Sequence, residues 1–215
     1  MPLVSALAAS HAPNILLEPG REWEDFMDLH YSMAPKGSSN RPTLEQQKKL
    51  RQDAEAAFAV LREDLERSHP DVLVVVANDQ FVNFFWNNIP TFFVTVAEEV
   101  KGQFTRHRFQ YRNHKELGNA IIRAGMEKGI DFSYGENIEL QHTQNVPLYF
   151  LLREPSIPIL PIYVNTWVDP APSPRRCYQV GELIRAVAEQ SKERIAILAT
   201  GGLSHFPGSP RIGEI

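Results

Sequence analysis

One stretch constrains the fold more than any other: Val72–Ala77, six consecutive apolar residues rich in β-branched valine, set between an amphipathic helical pattern and the polar turn Asn78-Asp79-Gln80. Alternation of apolar and polar residues marks a strand with one wet face, whereas an unbroken run marks a strand covered on both. Such strands belong to sheets with helices on each side. The neighbouring segments agree. Residues 3–9 form a short apolar run ending at Ser10-His11-Ala12-Pro13, and residues 195–199 form another that delivers the chain into Thr200-Gly201-Gly202-Leu203-Ser204-His205. Residues 92–96 are a further strand candidate, and the proline-interrupted run 157–164 reads as a strand near an edge.

Helical patterns lie between them. Thr43 and Gln46 have the spacing of a capping box, and Leu50, Ala54, Ala57, Leu61 and Leu65 recur every three or four residues until His69-Pro70, where His69 reads as a cap. Residues 114–128 read as a helix closed by Gly129, and residues 175–191 as a second, carrying Val180, Leu183, Ile184 and Val187. Residues 18–41 show no sustained period and read as a long excursion. Strands separated by helices predict an α/β fold, a mostly parallel central sheet flanked by helices, in a single domain spanning residues 1–215.

Composition removes several classes of function. The net charge of −4 and an isoelectric point near 6.0 argue against a general nucleic-acid binder, which would need a basic face. A single cysteine, Cys177, excludes a disulfide framework and multi-cysteine metal sites, and no histidine near it in sequence supports a nucleophile. No apolar run approaches the ~20 residues of a membrane span, and the opening residues lack the basic start of a signal peptide, so a cytoplasmic protein is expected. No Walker loop, dinucleotide fingerprint, HExxH or GxSxG occurs.

The chemistry is expected at three polar loops that each follow a buried strand: Ser10-His11, Asn78-Asp79-Gln80, and the stretch from Gly201 to His205. In an open parallel sheet the carboxyl ends of the strands share one edge, and ligands bind there. Other readings stay open at each. A lone histidine after a strand is commonly a hydrogen-bonded loop residue, and Asp79 and Gln80 can equally cap the turn that follows. His142 stands in a polar loop before an apolar run. His30, His107 and His114 lie in polar stretches and read as solvated, as does the basic cluster around Arg106 and Arg108. The aromatic run Phe81, Phe84, Phe85, Trp86, Phe92 and Phe93 reads as core or subunit contact, or in part as the wall of an aromatic-substrate pocket.

These residues, in this order, resemble the class III extradiol ring-cleavage dioxygenases, the family that includes the catalytic (beta) subunit of protocatechuate 4,5-dioxygenase. The resemblance rests on Ser10-His11-Ala12-Pro13, the run from Val74 to Gln80 with Phe84 after it, Gln141-His142 leading to Val146-Pro147-Leu148, and Gly201-Gly202-Leu203-Ser204-His205, the most specific of the four. It implies a non-haem Fe(II) held by two histidines and a glutamate, with open positions for a catechol-like or heteroaromatic diol and O₂. His11 matches the first iron ligand, and Gln80 falls where the second is usually histidine, so that Gln80 or Asp79 would take its place. His142 matches the residue assigned as proton donor and His205 the proton acceptor, tasks suited to an imidazole near neutral pH. The family's carboxylate ligand is expected beyond residue 215, making this a catalytic domain without its C-terminal part. A homo-oligomer or a complex with a second subunit is implied. The Gln80 substitution motivates an alternative, a metal-poor, non-catalytic subunit of the same fold that supports a catalytic partner.

Overall fold

A computed structural model describes residues 2–31 and 42–202. The chain runs β1 (Leu3–Ser10), a 3-10 turn (Pro13–Leu16), α1 (Arg21–Tyr31), α2 (Leu44–Ser68), β2 (Val72–Ala77), β3 (Phe92–Thr95), β4 (Glu99–Phe104), β5 (His107–Arg112), α3 (Lys115–Glu127), β6 (Ser133–Gly135), β7 (Glu139–Leu140), α4 (His142–Leu151), β8 (Ile159–Val164), α5 (Pro174–Gln190) and β9 (Ile195–Gly201). Six strands form the main sheet in the order β1-β9-β2-β8-β3-β6, parallel throughout except where β8 meets β3. The expected α/β architecture is what folds. Among the described residues no helix is long and apolar enough to cross a membrane.

Strand β2 shows why the sheet needs two covering layers. Its side chains alternate between faces, so Leu73 and Val75 enter one cluster with Phe58 and Leu65 of α2 and Leu148 and Phe150 of α4. Val72 and Val74 enter the other, with Leu117 and Ile121 of α3 and Val180, Leu183 and Ile184 of α5. Helix α2 begins with the expected capping box, Thr43 Oγ1 accepting from Gln46 N and Gln46 Oε1 from Thr43 N, and ends on His69 in the left-handed region. Phe58 stacks on Phe150 at 4.8 Å, fixing α2 against α4.

Four readings of the sequence are corrected. Residues 21–31 are a helix rather than irregular chain; Trp23 and Met27, one turn apart, are its buried stripe, and residues 32–41 lie outside the described residues. Strand β8 is interior, not near an edge. Pro161 is tolerated because the antiparallel β3 ladder stops at Val94 opposite Ile162. One step further the Thr95 carbonyl, which Pro161 cannot serve, receives Asn113 Nδ2 at 3.4 Å instead. His142 does not stand in a loop but opens a helix, His142–Leu151. His114 is not solvated: it caps α3, Nδ1 accepting from Leu117 N, while Nε2 lies 2.7 Å from Glu193 Oε1.

A second sheet, β5-β4-β7, has no counterpart in the sequence reading. Strand β7 lies so close to β4 that a Cβ on Gly102 would stand 2.1 Å from the Leu140 carbonyl oxygen, so only glycine fits there. That approach carries the chain directly into Gln141 and the start of α4.

Candidate active site at the carboxyl edge of the sheet

Strands β1 and β2 flank β9, with Ser10 opposite Gly201 and Val76 opposite Ala199, so three of the chemistry-bearing strand ends are adjacent. His11 leaves β1 at this edge, 7% exposed. Its Nδ1 lies 3.1 Å from Thr200 Oγ1 on β9, which fixes the ring through one nitrogen. The His142 ring stands edge-on to it, centroids 5.9 Å apart and planes at 89°. Phe104, at the end of β4, backs His142 at 5.9 Å. Two histidines separated by more than a hundred residues thus face the same space.

His142 reaches that space as the first residue of α4, with Gln141 as N-cap. No helical period shows here because α4 turns almost no face to solvent: Thr143, Gln144, Asn145, Val146 and Leu148 are all 0% exposed. The positive pole of α4 therefore lies beside His142, an environment that favours negative charge on a bound group.

The loop after β2 is organised by Asp79. Its Oδ1 accepts from Asn83 N (3.1 Å), Asn83 Nδ2 (2.9 Å) and Gln141 Nε2 (2.7 Å). Its Oδ2 accepts from Val82 N and Phe84 N, each at 3.1 Å. With both oxygens engaged in the turn, the carboxylate is a capping group, one of the two readings its sequence position allowed. These bonds hold Phe81 at φ 57°, a conformation unfavourable for a bulky residue. Between them sits Gln80, whose backbone N donates to Gln141 Oε1 at 3.1 Å. Its half-buried side-chain amide makes no hydrogen bond among the described residues.

One side chain, Gln141, therefore ties the Gln80 loop to the helix that presents His142. Thr143 adds a second tie, Oγ1 donating to the Asn78 carbonyl at 2.9 Å. The cost is visible beside them, where Asn78 Oδ1, Gln144 Nε2 and Asn145 Oδ1 are buried without partners.

His205 lies outside the described residues. Arg106 is not at this edge but pairs with Glu18 and Glu22 on the surface. The ring of His107 packs on Tyr149 at 4.8 Å, and burial, then the Arg106 charge, hold its pKa below the ordinary value. Burial pushes the Cys177 thiol up, away from nucleophile chemistry. Among the described residues no group of three His, Cys, Asp or Glu side chains is arranged to hold a metal. The His11 imidazole is braced through Nδ1 by Thr200, the way metal-binding histidines commonly are, and Gln80 stands at the end of the neighbouring strand but one. The reading from sequence gave no role to Thr200, Phe104 or Gln141, although Gln141 stands beside His142 in one of the matching stretches. Thr200 also carried a signal, its place at the end of a buried run.

The family described as the catalytic LigB subunit of aromatic ring-opening dioxygenase matches residues 37–214. A 2,3-dihydroxyphenylpropionate/2,3-dihydroxicinnamic acid 1,2-dioxygenase of Photorhabdus laumondii subsp. laumondii is 27% identical over 159 residues, 74% of this chain and 50% of that protein. The protein of the same name from Escherichia coli O139:H28 is 29% identical over 163 residues, covering 75% and 52%. The chain thus spans about half the length of the curated relatives it matches. A crystal structure of an uncharacterized protein from Escherichia coli K12 shares the fold, with a TM-score of 0.50 at 15% identity over 71% of this chain and 54% of that one.

Proposed function

The chain belongs to the family of catalytic LigB subunits of aromatic ring-opening dioxygenases, and from that premise we propose that it is an extradiol dioxygenase that opens the ring of a catechol-like or heteroaromatic diol with O₂. The observation that carries the reading is the convergence of His11 and His142, 5.9 Å apart, at the carboxyl edge of the sheet. In this reading His11 and the Gln80 amide oxygen hold a non-haem Fe(II), with a carboxylate supplied from outside the described residues. Bound there, the metal would supply open positions at which the two substrate oxygens and O₂ meet.

The chain's own groups do the rest. Thr200 keeps His11 in one orientation, and Gln141 and Thr143 hold the Gln80 loop at a set distance from His142. The N-terminal pole of α4 supports the negative charge a diol acquires on losing a proton. His205 takes that proton from the substrate hydroxyl, and His142 returns one as the ring opens. Phe104 shields one side of His142. In this reading the protein works in the cytoplasm, as a homo-oligomer or with a second subunit.

The test is oxygen uptake by protein loaded anaerobically with Fe(II), offered catechol and 2,3-dihydroxyphenylpropionate in turn. Both atoms of ¹⁸O₂ should appear in a ring-opened product. His11→Ala should lose the iron. His205→Phe should keep it and lose at least a hundredfold in turnover, within the range general acid–base catalysis supplies, roughly 10²–10⁴-fold. Loss of iron in His205→Phe instead would show that its role is misassigned.

Gln80 supports a second reading. A neutral amide is a poorer ligand than imidazole, and a chain that binds metal weakly could serve as a non-catalytic subunit beside a catalytic partner. Stoichiometric iron removes that reading; absence of iron under anaerobic loading, in this chain and equally in one extended past residue 215 to carry the carboxylate, establishes it over the first.

A further inference from the structure

The second sheet leaves an edge open. Strand β5 pairs with β4 along its whole length, and among the described residues no strand or other backbone group pairs with its outer side. Half of its amide and carbonyl groups point away from β4, an arrangement ready to accept a further strand. Beside it runs a groove of about 820 Å³. The lining takes in every residue from His107 to Tyr111. Successive side chains leave a strand on opposite faces, so a groove that touches all of them follows the strand's edge.

Helix α2 forms part of the facing wall. Arg51, Glu55 and Arg62 lie on one face of it, and Arg51 and Arg62 stand about 16 Å apart along its axis. Strand β5 from His107 to Tyr111 is of similar length, about 13 Å. Both α2 arginines are held in place. Arg51 Nε pairs with Glu55 at 2.6 Å and its guanidinium lies over the Phe150 ring, while Arg62 donates to the Phe150 carbonyl at 3.0 Å. Arg108 on β5 and Arg153 after α4 are exposed, with no hydrogen bond or ion pair among the described residues. The lining thus sets four arginines against one carboxylate, itself already paired, in a chain whose 26 Asp and Glu outnumber its 22 Lys and Arg. Local charge opposite to that of the whole chain favours an anionic guest. The cations are strung along the groove rather than turned on one point, which suits a row of carboxylates better than a single phosphate. The open edge adds backbone partners that an extended polypeptide matches.

We propose that this groove docks an acidic, extended segment of a partner protein, which adds to β5 as a further strand with its carboxylates against Arg51, Arg62, Arg108 and Arg153. Backbone hydrogen bonds to β5 supply affinity, and the arginines select acidic side chains. None of these residues belongs to the site at the carboxyl edge of the main sheet, so the proposal stands apart from the reading of that site.

The test is fluorescence anisotropy of a labelled peptide of alternating Glu and Val, about six residues long to match the groove at roughly 3.3 Å per residue. It should bind with an affinity that falls as salt rises, and a Lys-Val peptide of the same length should not bind. Two further peptides, N-methylated on every Glu or on every Val, keep the charge and lose the amide donors of one edge or the other. One of them should bind about tenfold more weakly, the scale of losing two or so hydrogen bonds, and the other should bind like the parent. Arg108→Glu and Arg153→Glu should each weaken binding several-fold and leave the melting temperature unchanged. Failure of the Glu-Val peptide to bind the wild-type protein overturns the proposal, as does binding that neither the methylated peptides nor the charge reversals alter. A single-stranded oligonucleotide that displaces the peptide at a lower concentration than unlabelled peptide does assigns the groove to nucleic acid. A molar mass, measured by light scattering on the protein alone, that drops in Arg108→Glu assigns the edge to a second copy. Either of these results also overturns it.

Discussion

The two faces of the main sheet are built differently. On the face covered by α3 and α5 the buried cluster is apolar throughout, and the helices are amphipathic in the ordinary way, with Ile121, Leu183 and Ile184 inside and charged residues out. On the face covered by α2 and α4 the core reaches the carboxyl edge as a polar layer, where Gln141, Thr143, Gln144 and Asn145 are buried beneath His142. Three buried polar atoms there have no partner, each costing on the order of 1–3 kcal/mol. The contrast teaches a division of labour. One face supplies stability that tolerates no polarity, and the other gives up some stability to hold two loops and a helix start in one arrangement.

That division can be broken by mutation. The largest effect is expected from Ile162→Ala, 0% exposed on the apolar face, which should cost about 2–5 kcal/mol by denaturant unfolding while the folded protein keeps its Fe(II) affinity. Parallel loss of metal binding would mean that the faces are not independent. Asp79→Ala removes the acceptor of five donors and should cost about 2–3 kcal/mol. Unlike Ile162→Ala, it should also release Phe81 from its strained φ and weaken Fe(II) binding. Thr143→Val keeps the shape and deletes the hydroxyl's bonds to the Asn78 carbonyl and Gln144 Oε1, for a loss of about 1 kcal/mol, with a fall in turnover larger than that stability change predicts.

The smallest effect is a pH dependence seated on His107. Burial and the Arg106 charge hold its folded-state pKa below the ordinary 6.5, so the unfolded chain binds the proton more readily. Stability should be unaffected above pH 6.5 and fall as pH drops from there towards the depressed value, because protonation then favours the unfolded state. Melting temperatures at pH 7.5 and 5.5 should differ less in His107→Gln than in the wild type; an equal difference assigns the acid sensitivity elsewhere.

Local pattern carried far in this chain wherever an element has a face to show. The Val72–Ala77 run, the Thr43 capping box and the stripe on α5 each reflect a short-range cause, and each folds as read. The site was legible to the extent that strand ends announce themselves: His11, Gln80 and the approach to His205 were placed by their position after buried runs. Helix α4 escaped because nearly all of it is enclosed, with Tyr149 reaching solvent, and so it shows no period.

What the amino-acid sequence by itself determined is thus the layered α/β plan and the identity of the polar loops, since both follow from periodicity and capping over a few residues. Only the tertiary structure decided that β8 lies inside the sheet, that β4, β5 and β7 make a second one, and that Gln141 joins the Asp79 turn to His142 across 62 residues of chain. Those are pairings between distant segments, set by which surfaces remain to be buried once the local elements exist, and no local period records them.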